Sequence, residues 1–282
     1  MAEQQNIKRR IKSVRNTKQI TKAMQMVAAS KLRRAQSAAV GPKAYIESVT
    51  KILGGLSQTP EALANPLFET RVAKKALSIL VTGDRSLAGA YNSNIFRAFS
   101  KHVEVQAVPH SAICVGRYGA LRVARLSDIT NEAAYPAEAA NSDIELAQPV
   151  MAEAIRAFTS GKVDVVHVIY TEFISAIRQE VRVIQLLPIV ASEAKLTATN
   201  FEPTAEELLE LATTRLLEAR VFQAILDGRA SFYAAQMIAM KSATDNASDL
   251  IDDLTLAANN ARQAAITQEL AEISAGSEAI IE

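Results

Sequence analysis

The sequence lacks several residue types that secreted, membrane-spanning or catalytic proteins commonly use. It contains no tryptophan, only 5% aromatic residues, and a single cysteine, Cys114, among its 282 residues. One cysteine excludes an internal disulfide and weakly favours a reducing compartment. No apolar run approaches the ~18 residues that span a bilayer. The abundant alanine favours long helices that pack closely.

Proline and glycine are missing from long stretches at both ends. Residues 2–40 contain neither, and from Thr204 onward there is no proline and only Gly228 and Gly276. Because proline costs about 3 kcal/mol inside a helix, both stretches are free to form long helices. Apolar residues recur in steps of three and four over 7–32 and 208–273, which is the spacing of one helix face.

The C-terminal stretch is too long to fit within one domain. Thr204 and Glu207 form a capping-box pattern at its start, and about 75 helical residues would extend roughly 110 Å. A single apolar stripe needs a partner, so we predict an antiparallel coiled coil with the N-terminal stretch, placing Met24 opposite the Met237–Met240 region. The last residues place polar side chains on every side of the helix. We predict that they extend beyond the coiled coil as a single helix enclosed by other protein; the alternative is a frayed tail.

The middle of the chain alternates between strand-like and helix-like segments. Strands are predicted over 76–84, 110–116, 163–173 and 180–190, and helices over 90–101 and 142–161. This order predicts an α/β fold with a mostly parallel, helix-covered sheet. We therefore predict an N-terminal coiled-coil helix (1–57), a central Rossmann-like α/β domain (58–203) and a C-terminal coiled-coil helix (204–282).

No motif for catalysis, a cofactor or a metal is evident. The stretch GDRSLAGAYN (83–92) has Tyr91 and Asn92 where a phosphate-binding loop needs Lys and Ser or Thr, so it is predicted to be a glycine-rich turn after a strand. His102, His110 and His167 lack metal-ligand spacing. His167 alternates with valines and is predicted to be a satisfied core residue.

Charge is distributed unevenly although the net charge is only +1. Residues 1–50 carry eleven Lys and Arg against two acids, whereas residues 241–282 carry two basic residues against eight acids. The basic flank over 8–34 is predicted to meet an acidic protein partner. A nucleic-acid patch would need stacking aromatics, and none precedes Tyr45. A membrane-surface helix would need Trp, Phe or Leu anchors, whereas the apolar face here consists of Met, Ala, Val and Ile. A transit peptide would not need the unbroken apolar periodicity.

Motifs at both ends and in the middle resemble one family. NTKQITKAMQMVAASKLRRAQ (16–36), together with MKSATDNASDLI and NNARQAAITQELAEISAG within 240–276, resembles the terminal helices of the γ subunit of F-type ATP synthases. TGDRSLAGAYN (82–92) and QLLP (185–188) resemble its middle domain. The resemblance implies a non-catalytic central shaft that transmits rotation of the membrane c-ring to the catalytic β subunits, driving ATP synthesis coupled to proton transport. Phe232 and Gln236 depart from the acid and the arginine usual in the family.

The resemblance also assigns contacts with the β subunit. Met24 matches a methionine that faces an acidic lever of β, and Lys22 and Arg33 are the cations that would oppose the lever's charge. Arg262 and Gln263 match an Arg-Gln pair that contacts a β-subunit catch loop.

Further positions and partners follow from the same resemblance. Thr267 lies one helical turn beyond the Arg-Gln pair, and Glu202 falls where the base approaches the c-ring and ε. The implied partners are three α and three β subunits, ε and the c-ring, without nucleic acid and with membrane contact only through the c-ring. The implied location is the cytoplasmic face of a bacterial plasma membrane. The alternatives are an α/β enzyme with a ligand pocket within 75–190 and a generic coiled-coil adaptor.

Overall fold

The computed structural model describes residues 2–56, 62, 64–137, 143–190 and 205–281. In chain order its elements are α1 (Ala2–Leu56), a 3-10 turn (Pro66–Phe68), β1 (Ala76–Val81), α2 (Tyr91–Gln106), β2 (His110–Val115), α3 (Arg117–Val123), β3 (Ile129–Tyr135), α4 (Asp143–Thr159), β4 (Val165–Phe173), β5 (Gln179–Leu187) and α5 (Ala205–Ile281). The predicted N-cap Thr204 lies outside the described residues.

The chain divides into two compact units. We call Met1–Ala28 together with Met237–Glu282 the helical unit, and Ala29–Gln236 the sheet unit. Helices α1 and α5 contribute residues to both units. This division cuts the long helices and is not the division into 1–57, 58–203 and 204–282, which stays a prediction. Across the described ranges, none of the helices combines the length and apolar composition that crossing a bilayer requires.

The sheet unit is built on five strands in the order β3-β2-β1-β4-β5. Strand β1 pairs in parallel with β2 and β4, β2 pairs in parallel with β3, and β5 is antiparallel to β4. All six residues of β1 are buried, as expected for a central strand covered on both faces. The predicted α/β fold with a mostly parallel sheet is confirmed.

One strand and one short α-helix of the sheet unit escaped the sequence analysis. Strand β3 has the sequence ITNEAAY and lies at an edge of the sheet, with most of its residues only partly buried or exposed. An edge strand with polar residues at its centre lacks the apolar run that marked the other strands. Helix α3 has only seven residues, too few to show a helical period.

Two apolar cores lie on the two faces of the sheet, and α5 contributes to both. Alternate residues of β1 point to opposite faces, so Leu77 and Ile79 pack with α4 while Leu80 packs with α2. In α5, Leu217 belongs to the core with α4, whereas Phe232 belongs to the core with α2. Helix α5 therefore passes from one face of the sheet to the other.

Within the sheet unit, α1 and α5 run antiparallel. Lys31 Nζ lies 5.3 Å from the ring centre of Tyr233, and Gln223 Nε2 donates to the Ala39 carbonyl oxygen at 3.2 Å. As the residue number rises along α1, the partner's number falls along α5. The predicted antiparallel pairing of the terminal helices is confirmed.

The helical unit has a narrow seam of mostly small side chains. Its buried residues are Thr21 and Ala28 on α1, and Met240, Thr244, Ala247 and Leu254 on α5. The hydroxyl oxygens of Thr21 and Thr244 lie 2.8 Å apart across this seam. Small residues allow two helix backbones to approach closely, which fits the alanine-rich composition.

Candidate functional site

The predicted contact residues of the helical unit lie on its surface. Lys22, Arg262, Gln263 and Thr267 are exposed, and Met24 is half-buried. Arg33 is also exposed and belongs to the sheet unit. The remaining predicted position, Glu202, lies outside the described residues.

On α1, exposed apolar residues accompany the cation Lys22. Ile20, Met26 and Val27 are 60%, 61% and 56% exposed, and Lys22 Nζ donates to Gln25 Oε1 at 3.3 Å. Large apolar side chains left on an outer helix face are suited to contact with another protein. At about 100° per residue, Ile20 and Val27 lie on one side of α1. Lys22 and Met26 lie on the opposite side, where apolar surface and positive charge occur together.

The far end of α5 has no buried side chain among the described residues from 255 to 273. Thr267 Oγ1 donates to the Gln263 carbonyl oxygen at 3.0 Å, so these two positions are one helical turn apart, and Arg262 directly precedes Gln263. Exposed apolar residues occur here too, including Leu270 at 63% and Ile273 at 68%. Arg262, Gln263 and Thr267 are therefore exposed within two successive turns of the same helix.

The turn after β1 occupies the place where doubly wound sheets commonly bind ligands, at the carboxyl ends of the strands. Asn92 Oδ1 accepts from the Gly83 amide at 2.9 Å, and Asn92 Nδ2 donates to the Arg85 carbonyl oxygen at 3.2 Å. Asp84 Oδ1 accepts from the amides of Arg117 and Ala137 at 2.8 and 3.0 Å. These polar groups thus order the chain's own turn.

Helix α5 fills this crevice. A β-carbon at Gly83 would lie 2.7 Å from the Phe232 ring, and one at Gly228 would lie 2.9 Å from Val81 Cγ1. Tyr91 Oη donates to the Gly228 carbonyl oxygen at 2.9 Å. The remaining cavity is about 30 Å³, room for roughly one water molecule and far too small for a nucleotide.

Three histidines that are distant in sequence come together between α2, β2 and β4. The ring centre of His102 lies 6.0 Å from that of His110 and 4.4 Å from that of His167. Burial, followed by the charges of the other two rings, lowers the pKa of His167 to about 4. His167 is buried as predicted, and its Nε2 lies 3.5 Å from Gln106 Nε2, within hydrogen-bond distance. Its Nδ1 has no hydrogen-bond partner among the described residues, so the prediction of a satisfied side chain holds for only one ring nitrogen.

The histidine cluster does not amount to a metal centre. Within the described part of the chain, no group of three or more His, Cys, Asp or Glu residues is arranged to hold a metal ion. The three rings pack on one another within the sheet unit.

Comparison with known proteins identifies the family. A family model described as ATP synthase matches residues 3–280, nearly the whole chain. The chain belongs to the ATP synthase gamma subunit family. Members of this family are non-catalytic stalk subunits of the complex, so the alternative of a free-standing α/β enzyme is wrong.

Three solved structures of similar fold come from mitochondrial ATP synthases. The central stalk and c-ring structure from Tetrahymena thermophila has a chain with a TM-score of 0.62 and 22% identity, covering 79% of this chain and 99% of that one. A chain of the Euglena gracilis rotor in rotational state 1 has a TM-score of 0.67 and 15% identity, covering 94% of this chain and 99% of that one. A chain of the Euglena gracilis OSCP/F1/c-ring structure in rotational state 3 has a TM-score of 0.68 and 16% identity, covering 99% of this chain and 95% of that one. At these identities the likeness concerns the fold of the gamma subunit family.

The crevice-filling residues were missed by the sequence analysis. Gly228 and Phe232 are separated from Gly83 by more than 140 residues, so no local pattern connects them. Two signals were present: Gly228 interrupts a long helical stretch, and Phe232 departs from the family's usual residue. Both mark the place where α5 approaches the end of β1.

Proposed function

We propose that this gamma-family chain is the central-stalk rotor subunit of an F-type ATP synthase, turning within a ring of three α and three β subunits. Rotation of a membrane c-ring would pass through it to the catalytic β subunits and drive ATP synthesis coupled to proton transport. The observation that carries the proposal is the family match over residues 3–280, on a chain whose terminal helices pack on each other.

Contacts with β are proposed on both long helices. Met24, with Lys22 and Arg33, would face an acidic lever of β, while Arg262 and Gln263 would contact a catch loop. The exposure of the four charged and amide side chains supports this, because the described chain does not cover them. Charge attraction at an exposed surface contributes at most about 1 kcal/mol per pair, so apolar contact would supply most of the affinity.

Thr267 and the base of the subunit complete the proposed contact set. Thr267 would join the catch-loop contact, since it lies one helical turn from Gln263 and its hydroxyl donates to the Gln263 carbonyl oxygen. Glu202 is proposed to lie near the c-ring and ε. The proposed location is the cytoplasmic face of a bacterial plasma membrane, with attachment through the c-ring. Membrane fractionation before and after removal of the c-ring would test that attachment.

Reconstitution tests the proposed function. The tagged chain should copurify with α, β and ε, and alone it should hydrolyse no ATP. Replacing Arg262→Ala with Gln263→Ala should lower coupled ATP synthesis in vesicles while the subunit remains folded, because both side chains are exposed. The matched control is Asp252→Ala with Asp253→Ala, an exposed pair on the same helix.

Two results would count against these assignments. Failure of the wild-type chain to join α and β would contradict the rotor role. Unchanged coupling in the Arg262/Gln263 variant, in complexes that assemble normally, would remove the catch-loop contact while leaving the rotor role standing.

A further inference from the structure

A short segment of α5, residues 227–232, is held by several elements of the sheet unit at once. Asp227 forms an ion pair of 3.8 Å with Lys43 of α1. The Gly228 carbonyl oxygen accepts from Tyr91 of α2 at 2.9 Å. Ser231 Oγ donates to the Thr171 carbonyl oxygen of β4 at 3.1 Å.

Arg229 adds a further set of contacts to the same segment. Its Nη2 donates to the Ala137 carbonyl oxygen at 2.7 Å and lies 2.6 Å from Asp143 Oδ1 at the start of α4. Burial raises the pKa of Asp143, and the charge and hydrogen bond of Arg229 oppose that rise. The guanidinium thus links α5 to α4 and to Ala137, two residues after the end of β3.

These contacts surround much of the helix circumference. At about 100° per residue, the positions of Asp227, Ser231, Gly228 and Arg229 lie at roughly 0°, 40°, 100° and 200° around the α5 axis. Gly228 makes its contact through the backbone carbonyl oxygen. Contacts on one side alone would let a helix roll on its neighbour, because apolar packing is not directional. Contacts spread over about 200° oppose rolling in either direction, since any turn breaks some of them.

Steric contacts also block sliding of α5 along its axis. Phe232 lies against Gly83, where a β-carbon would be only 2.7 Å from its ring, and Gly228 lies against Val81 and Tyr91. Phe232 and Tyr91 also meet edge to face with ring centres 5.5 Å apart. A shift of one residue along α5 would move a β-carbon into the space beside Val81.

We infer that Tyr91, Arg229, Ser231 and Phe232 form a grip that fixes the rotational position of α5 on the sheet, so that torque applied to the base passes into this helix without slip. The inference rests on the proposed rotor function and adds the residues that hold the shaft. Helix α5 continues without interruption from the grip to Ile281, so a turn imposed at the grip is carried along one continuous helix. These are positioning residues, since they touch no substrate.

The test uses the complete ATP synthase with the variant subunit, held by its α and β subunits and carrying a bead on the c-ring. The grip variant combines Tyr91→Phe, Arg229→Gln and Ser231→Ala, which remove polar contacts but keep the apolar packing. In a stalled rotor, the variance of the bead angle should rise about twofold or more, because several cooperating contacts are lost together. ATP-driven proton pumping per ATP hydrolysed should fall in the same complexes.

Controls separate a grip from a purely structural role. Thr213→Val changes a fully buried α5 position outside the grip, whose hydroxyl has no hydrogen-bond partner in the described part of the chain, and should leave the variance unchanged. Arg229→Gln alone, at a side chain that is 30% exposed, provides a milder variant whose variance should also rise. Restoring the charge with Arg229→Lys should recover part of the stiffness.

The outcomes distinguish the inference from the proposed function. A wild-type complex whose subunit does not rotate would overturn both. A rotating wild-type complex together with unchanged variance in the grip variant and in Arg229→Gln would overturn the grip alone. A lower melting temperature with unchanged variance would show that these contacts only stabilise the fold, and would equally overturn it.

Discussion

Each of the two units of the chain is stabilised internally by a different kind of packing. The sheet unit buries large side chains completely, among them Phe99, Phe158 and Ile79, on both faces of a five-stranded sheet. The helical unit buries a narrow seam in which threonine and alanine predominate. Stability in the first therefore depends on filled volume, and in the second on the close approach of two helices.

The difference has a functional consequence. Because the seam of the helical unit uses small residues, its larger apolar side chains, such as Ile20 and Met26, stay on the outside. In the sheet unit the largest side chains fill the core, although others, such as Leu121 and Ile177, are exposed there too. In the helical unit the exposed apolar side chains lie on two long helices without a filled core, which suits contact with another protein.

The largest effect is expected from emptying the sheet core. Phe158→Ala should lower the free energy of unfolding by about 3–5 kcal/mol, through lost apolar burial and the cavity left behind. Urea unfolding of the full-length chain, followed by circular dichroism, measures it. Leu121→Ala, at a side chain that is 65% exposed, is the control and should change little. A loss below about 1 kcal/mol for Phe158→Ala would contradict the assignment of Phe158 to a filled core.

A smaller effect is expected from acid acting on the histidine cluster. His167 has a pKa near 4 in the folded chain, against 6.5 as its ordinary value. Above pH 6.5 the ring is neutral in both states, so it makes no difference to stability. As the pH falls from 6.5 to 4, only the unfolded chain takes up the proton, and the free energy of unfolding should drop by about 3 kcal/mol in total.

His167→Gln isolates this titration from that of the carboxylates. The variant should lose less stability than the wild type between pH 7 and pH 4.5, as measured by urea midpoints at each pH. Equal pH dependence in both proteins would show that His167 is not the group that resists protonation.

The smallest effect is expected at the seam of the helical unit. Thr21 and Thr244 are buried, with hydroxyl oxygens 2.8 Å apart. Replacing either with valine should cost about 1 kcal/mol, since one hydroxyl loses a partner. The double variant should lose less free energy of unfolding than the two single variants added together. In the double variant neither position keeps a hydroxyl that has lost its partner across the seam. Strict additivity in thermal unfolding would argue that the two side chains do not interact.

The fold was largely predictable because its signals are local. Stretches free of proline with a helical period predicted α5 and residues 2–40 of α1, which continues through Pro42 to Leu56. Runs rich in β-branched residues predicted β1, β2, β4 and β5. Strand β3 was missed because an edge strand with Asn131 and Glu132 at its centre carries no apolar run. Its place in the sheet depends on pairing with β2, which no local pattern records.

The candidate site was predictable to a different extent. Exposed contact residues such as Arg262 and Gln263 came from the resemblance to a family, and their roles stay predictions. The grip and the histidine cluster could not be found from sequence, because each joins residues from several elements far apart in the chain. Only the folded arrangement brings Gly83 to Phe232, or His102 to His167.

Direct observation of rotation tests the central claim. Ile177 lies in the connection between β4 and β5 and is 87% exposed, so Ile177→Cys provides a labelling site. Cys114 will not compete for the label, because it is fully buried and burial raises its pKa to about 12. With the α and β subunits fixed to a surface and ATP supplied, a probe on Cys at position 177 should turn continuously in one direction. A probe that stays at a fixed angle while the complex hydrolyses ATP would contradict the account.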